Sequence, residues 1–193
     1  MARIILGILL AFYLVLSVSR SHADVIGTTD ITPSTSLGQY ASYSLDQLHD
    51  GIVSDAFPYN GYASGFGVTS GLITLSLDQT YDLNSFSLWN DINIQSQGVR
   101  SFSLNFLDSS GMSIGTTGDL FAVSQFDAQV YNFSQTFLGV KTVELNISDS
   151  DLQIEIRELS FNGTATSSVP EPATLLLFGA GLIGLTRVRR KLV

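Results

Sequence analysis

From residue 72 to residue 161, apolar side chains recur at every second position in run after run, and that period leaves the chain few folds to choose from. Ile73, Leu75 and Leu77 share one face of the first run, and Phe86 and Leu88 share one face of the next. In residues 100–107, Phe102, Leu104 and Phe106 point one way while Ser101, Ser103 and Asn105 point the other. Val143, Leu145 and Ile147 repeat the pattern, and so do Leu152, Ile154 and Ile156. Leu159 and Phe161 then fall on the opposite parity, which predicts a bulge near Arg157 and Glu158. Side chains that alternate in this way belong to antiparallel sheet with one buried and one wet face. Turn signals separate the runs: Asp50-Gly51, Asn60-Gly61, Ser70-Gly71, Ser110-Gly111, Thr117-Gly118 and Asn162-Gly163. The expectation is an all-β fold, an antiparallel β-sandwich or jelly roll of about eight strands over residues 24–163. Short hydrophobic helices at the two termini lie outside it.

The first 23 residues read as a secretory signal peptide. Residues 4–18 form an uncharged apolar run behind Arg3, and Ser21-His22-Ala23 supplies small residues before a cleavage point. Near the other end, residues 173–186 are apolar and are followed by Arg187, Arg189, Arg190 and Lys191. A helix over that run reaches about 21 Å, short of the roughly 30 Å hydrocarbon core, so thinning of the bilayer or snorkelling arginines would have to close the gap. The basic tip should stay cytoplasmic, with the body outside and the inner membrane crossed transiently. Between the two runs, residues 24–168 hold sixteen acidic residues against Arg100, Lys141 and Arg157, a net charge of −13. Such a body repels nucleic acid and anionic membrane. The chain has no cysteine, which removes disulfides, thiolate nucleophiles and thiolate metal sites together. An exported domain of this kind depends on a packed core, with a bound cation as the one further aid.

Val169-Pro170-Glu171-Pro172-Ala173, the short apolar run and the basic cluster resemble the PEP-CTERM sorting signal of exopolysaccharide-producing Gram-negative bacteria. Pro170, Glu171 and Pro172 supply the motif, and Arg187, Arg189 and Arg190 supply its basic tip. The resemblance implies recognition by an exosortase-type membrane processing enzyme, with delivery to the cell surface or the extracellular matrix. The residues agree with an accessible site. The prolines keep the motif extended, and residues 164–168 form a small-residue linker ahead of it.

The body itself resembles the galactose-binding-like, or discoidin-type, jelly roll. The matching pieces are Leu48-His49-Asp50-Gly51, residues 71–78, residues 83–89, residues 99–108 and residues 154–163. The family often has a tryptophan soon after the Asp-Gly turn, where this chain has Phe57, Tyr59 and Tyr62. The resemblance implies structural Ca2+ between the early Asp-Gly loop and the last strand, at Asp50, Asp55 and Glu158. An ordinary turn with a solvated Asp50 is the alternative. It also implies ligand-binding loops at one end of the roll, where the nominees are Tyr59, Asn60, Tyr62, Trp89, Asn90 and Asp91. Turn tyrosines packed over an open end of the sandwich would account for the same residues. Two functions follow: a carbohydrate-binding module acting on extracellular polysaccharide, or a structural matrix protein with no specific ligand. A catalytic role has little to stand on. No Gly-x-Ser-x-Gly or His-Glu-x-x-His motif occurs, and His49 is the one histidine left after signal removal. Paired carboxylates leave a glycan-active enzyme as the third reading.

Overall fold

The computed structural model describes residues 24–54, 60–92, 98–150 and 152–166. Among them run nine strands: β1 (Asp24–Ile26), β2 (Ile31–Thr35), β3 (Tyr62–Ala63), β4 (Gly71–Asn90), β5 (Val99–Leu107), β6 (Ser113–Thr116), β7 (Leu120–Phe121), β8 (Gln129–Ser150) and β9 (Glu155–Ala165). A single 3-10 turn, Leu45–Leu48, interrupts them. Every strand pairing is antiparallel. The sheet is open, in the order β1-β9-β4-β8-β5-β6, with β2 on β4, β3 on β9 and β7 on β5. Among the described residues no helix is long and apolar enough to cross a membrane. The short span expected at residues 173–186 lies outside them.

Two strands are long enough to serve both layers. Residues 71–76 of β4 pair with residues 142–147 of β8, while residues 81–88 pair with residues 129–140. The register shifts at Ser76/Tyr81, at Tyr81/Leu83 and at Leu83/Ser85, the last leaving residues 133–136 of β8 without partners on β4, and each irregularity bends the pair. One layer is therefore β2, the first part of β4, the second part of β8, β5 and the short β6 and β7. The other is β1, β9, the second part of β4 and the first part of β8. Rings meet across the space between: Phe86 of β4 lies 5.7 Å from Phe102 of β5, and Phe106 of β5 stacks on Phe137 of β8 at 3.9 Å. The apolar faces read from the sequence lie in this core. Ile73, Leu75, Leu77, Phe86, Leu88, Phe102, Leu104, Phe106, Val143, Leu145, Ile147, Ile154, Ile156, Leu159 and Phe161 are buried.

The bend is held by side chains that the bulges turn onto backbone. Lys141 Nζ donates to the carbonyls of Leu77 (2.6 Å) and Asp78 (2.8 Å). Tyr81 OH donates to Asp78 Oδ1 at 2.7 Å, and Gly139 N donates to Asp82 Oδ1 at 2.8 Å. Residues 72–77 and 84–89, expected as separate strands, are for this reason one strand that turns without breaking. Two other expectations differ. Leu152 is exposed, because β9 begins only at Glu155. Asn162-Gly163 is no turn but mid-strand, paired with β1 and β4. A Cβ on Gly163 would sit 2.5 Å from the carbonyl oxygen of Asp82 and 2.9 Å from Leu83 Cδ2, so the glycine is there to let the bent β4 approach.

Gly163→Ala should therefore destabilise the body by about 1–3 kcal/mol, read as a lowered midpoint in urea with an unchanged slope. A neutral or stabilising effect would show that β4 and β9 do not meet this closely.

Candidate ligand-binding and cation site

The parity break in β9 produces the site. Trp89 pairs with Glu158 and Asn90 pairs with Ile156, so Arg157 is the extra residue of a bulge. The bulge buries two consecutive charged side chains, leaving Arg157 2% and Glu158 5% exposed. Arg157 turns its guanidinium onto backbone carbonyls. Nε donates to Asn90 O at 2.7 Å, one terminal nitrogen to Ser54 O at 3.2 Å, and the other to Gln125 O (3.0 Å) and Phe126 O (2.7 Å). Two loops and the end of β4 thus converge on one side chain at the open end of the sandwich.

Glu158 faces the Asp50-Gly51 loop. Gly51 N donates to Glu158 Oε2 at 3.2 Å, and Ile52 N closes the turn on Asp50 Oδ1 at 2.8 Å. Asn60 completes it, its amide nitrogen reaching Asp50 Oδ1, Asp50 Oδ2 and Ile52 O, each at 3.0 Å. Gln47 fixes the orientation of that amide by donating to Asn60 Oδ1 at 2.9 Å, and its own Oε1 accepts from Ser44 N at 3.0 Å. The loop lies this close because residue 61 is glycine. A Cβ there would stand 2.5 Å from Ile156 O and 2.7 Å from Arg157 Cα, and the backbone φ is +147°. Burial, together with the neighbouring Asp50 carboxylate, pushes Glu158 up to about 8. The same strand carries one member of a second acidic pair. Burial and the buried Asp91 push Glu155 up to about 7 beside a cavity of about 20 Å³.

The nominated residues fare unequally. Asp50 and Glu158 come together; Asp55 and Tyr59 lie outside the described residues, as do Pro170, Glu171, Pro172, Arg187, Arg189 and Arg190. Tyr62 is a core residue, 1% exposed, with its hydroxyl on Gly38 O at 2.7 Å and its phenol pushed up to about 12 by burial. Its ring is closed to a ligand. Asn90 is likewise internal: its side chain donates to Val99 O and Val123 O and accepts from Val99 N and Asp91 N, stapling the ends of β4 and β5. Asp91 is buried next to Glu155. Asn60 is engaged with Asp50, while Trp89 remains half-buried on the side away from the core.

Sequence reasoning missed two features. Arg157 is the hub of the loop end, and its signal was a basic residue standing where the strand parity slips. Tyr40 (47% exposed) and Phe66 (69% exposed) form an exposed aromatic pair with ring centroids 6.5 Å apart. Their loops are joined by Tyr40 N on Ala63 O and Gly65 N on Leu37 O, both 2.9 Å. Two aromatics next to glycine- and serine-rich stretches were the available sign.

Comparison with known proteins now bears on both parts of the chain. A family model described as the PEP-CTERM protein-sorting motif matches residues 168–191. The chain carries a PEP-CTERM sorting signal. That signal marks it for export and implies a processing partner of the exosortase type. No curated protein matches the sequence. Solved structures match the body. The family 32 CBM of NanJ from Clostridium perfringens, in complex with galactose, has a TM-score of 0.61 at 10% identity, covering 73% of this chain and 99% of that one. An F5/8 type C domain from Bacteroides fragilis has a TM-score of 0.61 at 16% identity, with coverage of 74% and 97%. A fucose-binding module from Streptococcus pneumoniae, SpX-3, has a TM-score of 0.58 at 14% identity, with coverage of 72% and 96%. The body therefore has the discoidin-type, galactose-binding-like jelly-roll fold.

Glu155 and Glu158 ionise at higher pH in the folded body than their ordinary value of 4.5. Their contribution to stability is thus full below that value and is lost as pH rises through about 7 and about 8. In excess chelator, the melting temperature should fall steadily between about pH 5 and pH 9. Glu158→Gln should flatten the upper part of that fall, leaving the part due to Glu155. A wild-type melting temperature that rises over this interval would contradict the acidic pairing.

Proposed function

We propose that the exported body is a non-catalytic glycan-binding module, displayed at the cell surface or in the extracellular matrix. The observation that carries this reading is the exposed Tyr40–Phe66 pair at the loop end of the fold. Two tilted rings in solvent offer apolar faces of the kind on which a sugar ring stacks. Trp89, half-buried beside Asn90, gives the same end a second aromatic surface. The fold supports the reading, since similar structures include a CBM holding galactose and a fucose-binding module. Catalysis by Asp91 and Glu155 fits poorly, because the cavity beside them, at about 20 Å³, has room for a water rather than a sugar.

Calcium belongs to the same proposal as a structural ion. Asp50 and Glu158 would hold it, with Ile52 O among the carbonyl donors near them. The observation favouring it is a buried and a half-buried carboxylate brought together, whose repulsion raises the pH at which Glu158 ionises despite the backbone donor from Gly51. A hard cation with oxygen ligands would relieve that repulsion. Added Ca2+ should raise the melting temperature above that in EDTA, and Asp50→Asn should remove most of the increase. An unchanged melt in excess EDTA counts against the ion.

A second reading, an inert cohesive unit of the matrix, is favoured by the number of polar groups at the loop end that are already bonded internally, Asn60 and Asn90 among them. Affinity electrophoresis in the producing organism's own polysaccharide separates the two. Under the glycan-binding reading the protein is retarded, and Tyr40→Ala with Phe66→Ala weakens binding by about tenfold or more, the scale of losing one or two aromatic contacts. Loss with Trp89→Ala alone would move the site to the other aromatic surface. No retardation in that polysaccharide or on a broad glycan panel would leave the structural reading.

A further inference from the structure

The chain enters and leaves the body at one end, where β4 and β8 bend. Asp24, the first residue of β1, pairs with Gly163, two residues before β9 closes at Ala165. Thr164 and Ala165 pair with Asp82 and Tyr81, inside the bend of β4. Thr166 is fastened there as well, since its backbone N and its hydroxyl both donate to Thr80 O at 2.9 Å. The candidate sites lie at the other end. Glu158 and Arg157 stand near the start of β9, and the Tyr40 loop is bonded to Ala63, which pairs with Glu155. From Ile156 to Ala165 a strand covers about 30 Å.

The sorting signal follows at once. Pro170 is the fourth residue after Thr166, and an extended chain reaches at most about 14 Å over that interval. To Ala173, where the apolar run begins, the limit is about 25 Å. Both limits are shorter than the body is long, so an enzyme acting on the motif works within reach of the folded body. Charge adds a second constraint. At −13, the body is repelled by an anionic leaflet, and a body held by one end turns its other end away from the lipid.

We propose that the bend end is the face at which the membrane-bound processing enzyme meets the folded body, with the loop end turned outward. The partner follows from the tether: whatever binds the signal at residues 168–191 is brought against this end and no other. The face offers two exposed apolar side chains, Leu138 (66% exposed) and Met112 (67% exposed). Met112 belongs to it because β5 runs from the loop end to Leu107, which pairs with Thr142 beside the bend. The carboxylates of Asp24, Asp78 and Asp82 lie at the same end, so the enzyme surface that fits it is apolar with basic groups around it. The inference rests on the sorting signal and holds whether or not the loop end takes a glycan.

Two measurements test it, both on the full-length chain. In the producing organism, Leu138→Arg with Met112→Arg should slow removal of the tail at least about fivefold, the scale of losing one interface contact. Both side chains are exposed, so the melting temperature should not change. Phe121→Arg, equally exposed but at the loop end, should leave the rate as it was. Inserting eight Gly and Ser residues after Thr166 adds up to about 28 Å of reach and should restore the rate of the double variant. No slowing overturns the proposal, and so does slowing that the insertion fails to relieve. The chain has no cysteine, so the orientation can be read with single labels. The protein is synthesised into vesicles of phosphatidylethanolamine and phosphatidylglycerol that carry acceptor-labelled headgroups. Energy transfer should be at least about twofold stronger from Leu138→Cys or Met112→Cys than from Phe66→Cys or Phe126→Cys, given about 30 Å between the ends. Equal transfer from both ends, stronger transfer from the loop end, or protein that does not float with the vesicles overturns the outward orientation.

Discussion

The loop end of this protein depends on one guanidinium. Arg157 donates to carbonyls of three separate segments, at Asn90, Ser54 and residues 125–126, while 2% exposed. Loops have no ladder to satisfy their backbone, and a buried carbonyl without a donor costs about 1–3 kcal/mol. One planar cation with five donors removes that cost in several places at once. The bulge is what aims it: in an unbroken strand Arg157 and Glu158 would face opposite sides, and here both are drawn inside. Lys141 does the corresponding work at the far end, with Nζ on the carbonyls of Leu77 and Asp78 where β4 bends. Two of the three cations of the body thus hold backbone at opposite ends of the sandwich.

The faces of the strands were legible in the sequence because period two is a direct geometric property of a strand. Phe102, Leu104 and Phe106 had only one way to be buried together. The bulge was legible for the same reason. An extra residue in the ladder is what moves the buried face from even positions at Ile156 to odd ones at Leu159. The bends were not legible. Residues 72–77 and 84–89 read as separate strands, and only the lysine arriving from residue 141 makes Asp78 a corner in a continuous one. Asn162-Gly163 failed similarly: the glycine answers a steric demand from Asp82, distant in sequence, and not a local turn.

The candidate site divides along the same line. Asp50 and Glu158 were found through a resemblance and a parity break, and they do meet through Gly51. Tyr62 and Asn90 were nominated by residue type, which does not distinguish an aromatic or amide facing a ligand from one that closes a loop. Tyr62 could not stay in solvent, because β3 packs its ring into the core and Gly38 takes its hydroxyl. Tyr40, by contrast, stands where its loop meets the Ala63 backbone, and no periodicity in the sequence marks that position.

Charge connects the site to the rest of the molecule. A strongly acidic body gains solubility and loses stability through self-repulsion, and β9 carries a half-buried Glu155 and a buried Glu158, three residues apart, each next to an aspartate from another segment. Both are held most easily with a proton, so the loop end is the part of the fold whose charge follows pH. The core aromatics behind it are indifferent to pH. Phe86, Phe102, Tyr131 and Phe161 pack with ring centroids 5.1–6.2 Å apart and bring no carboxylate into the core. The stability lost when the two glutamates ionise therefore arises at the loop end and not in the aromatic core.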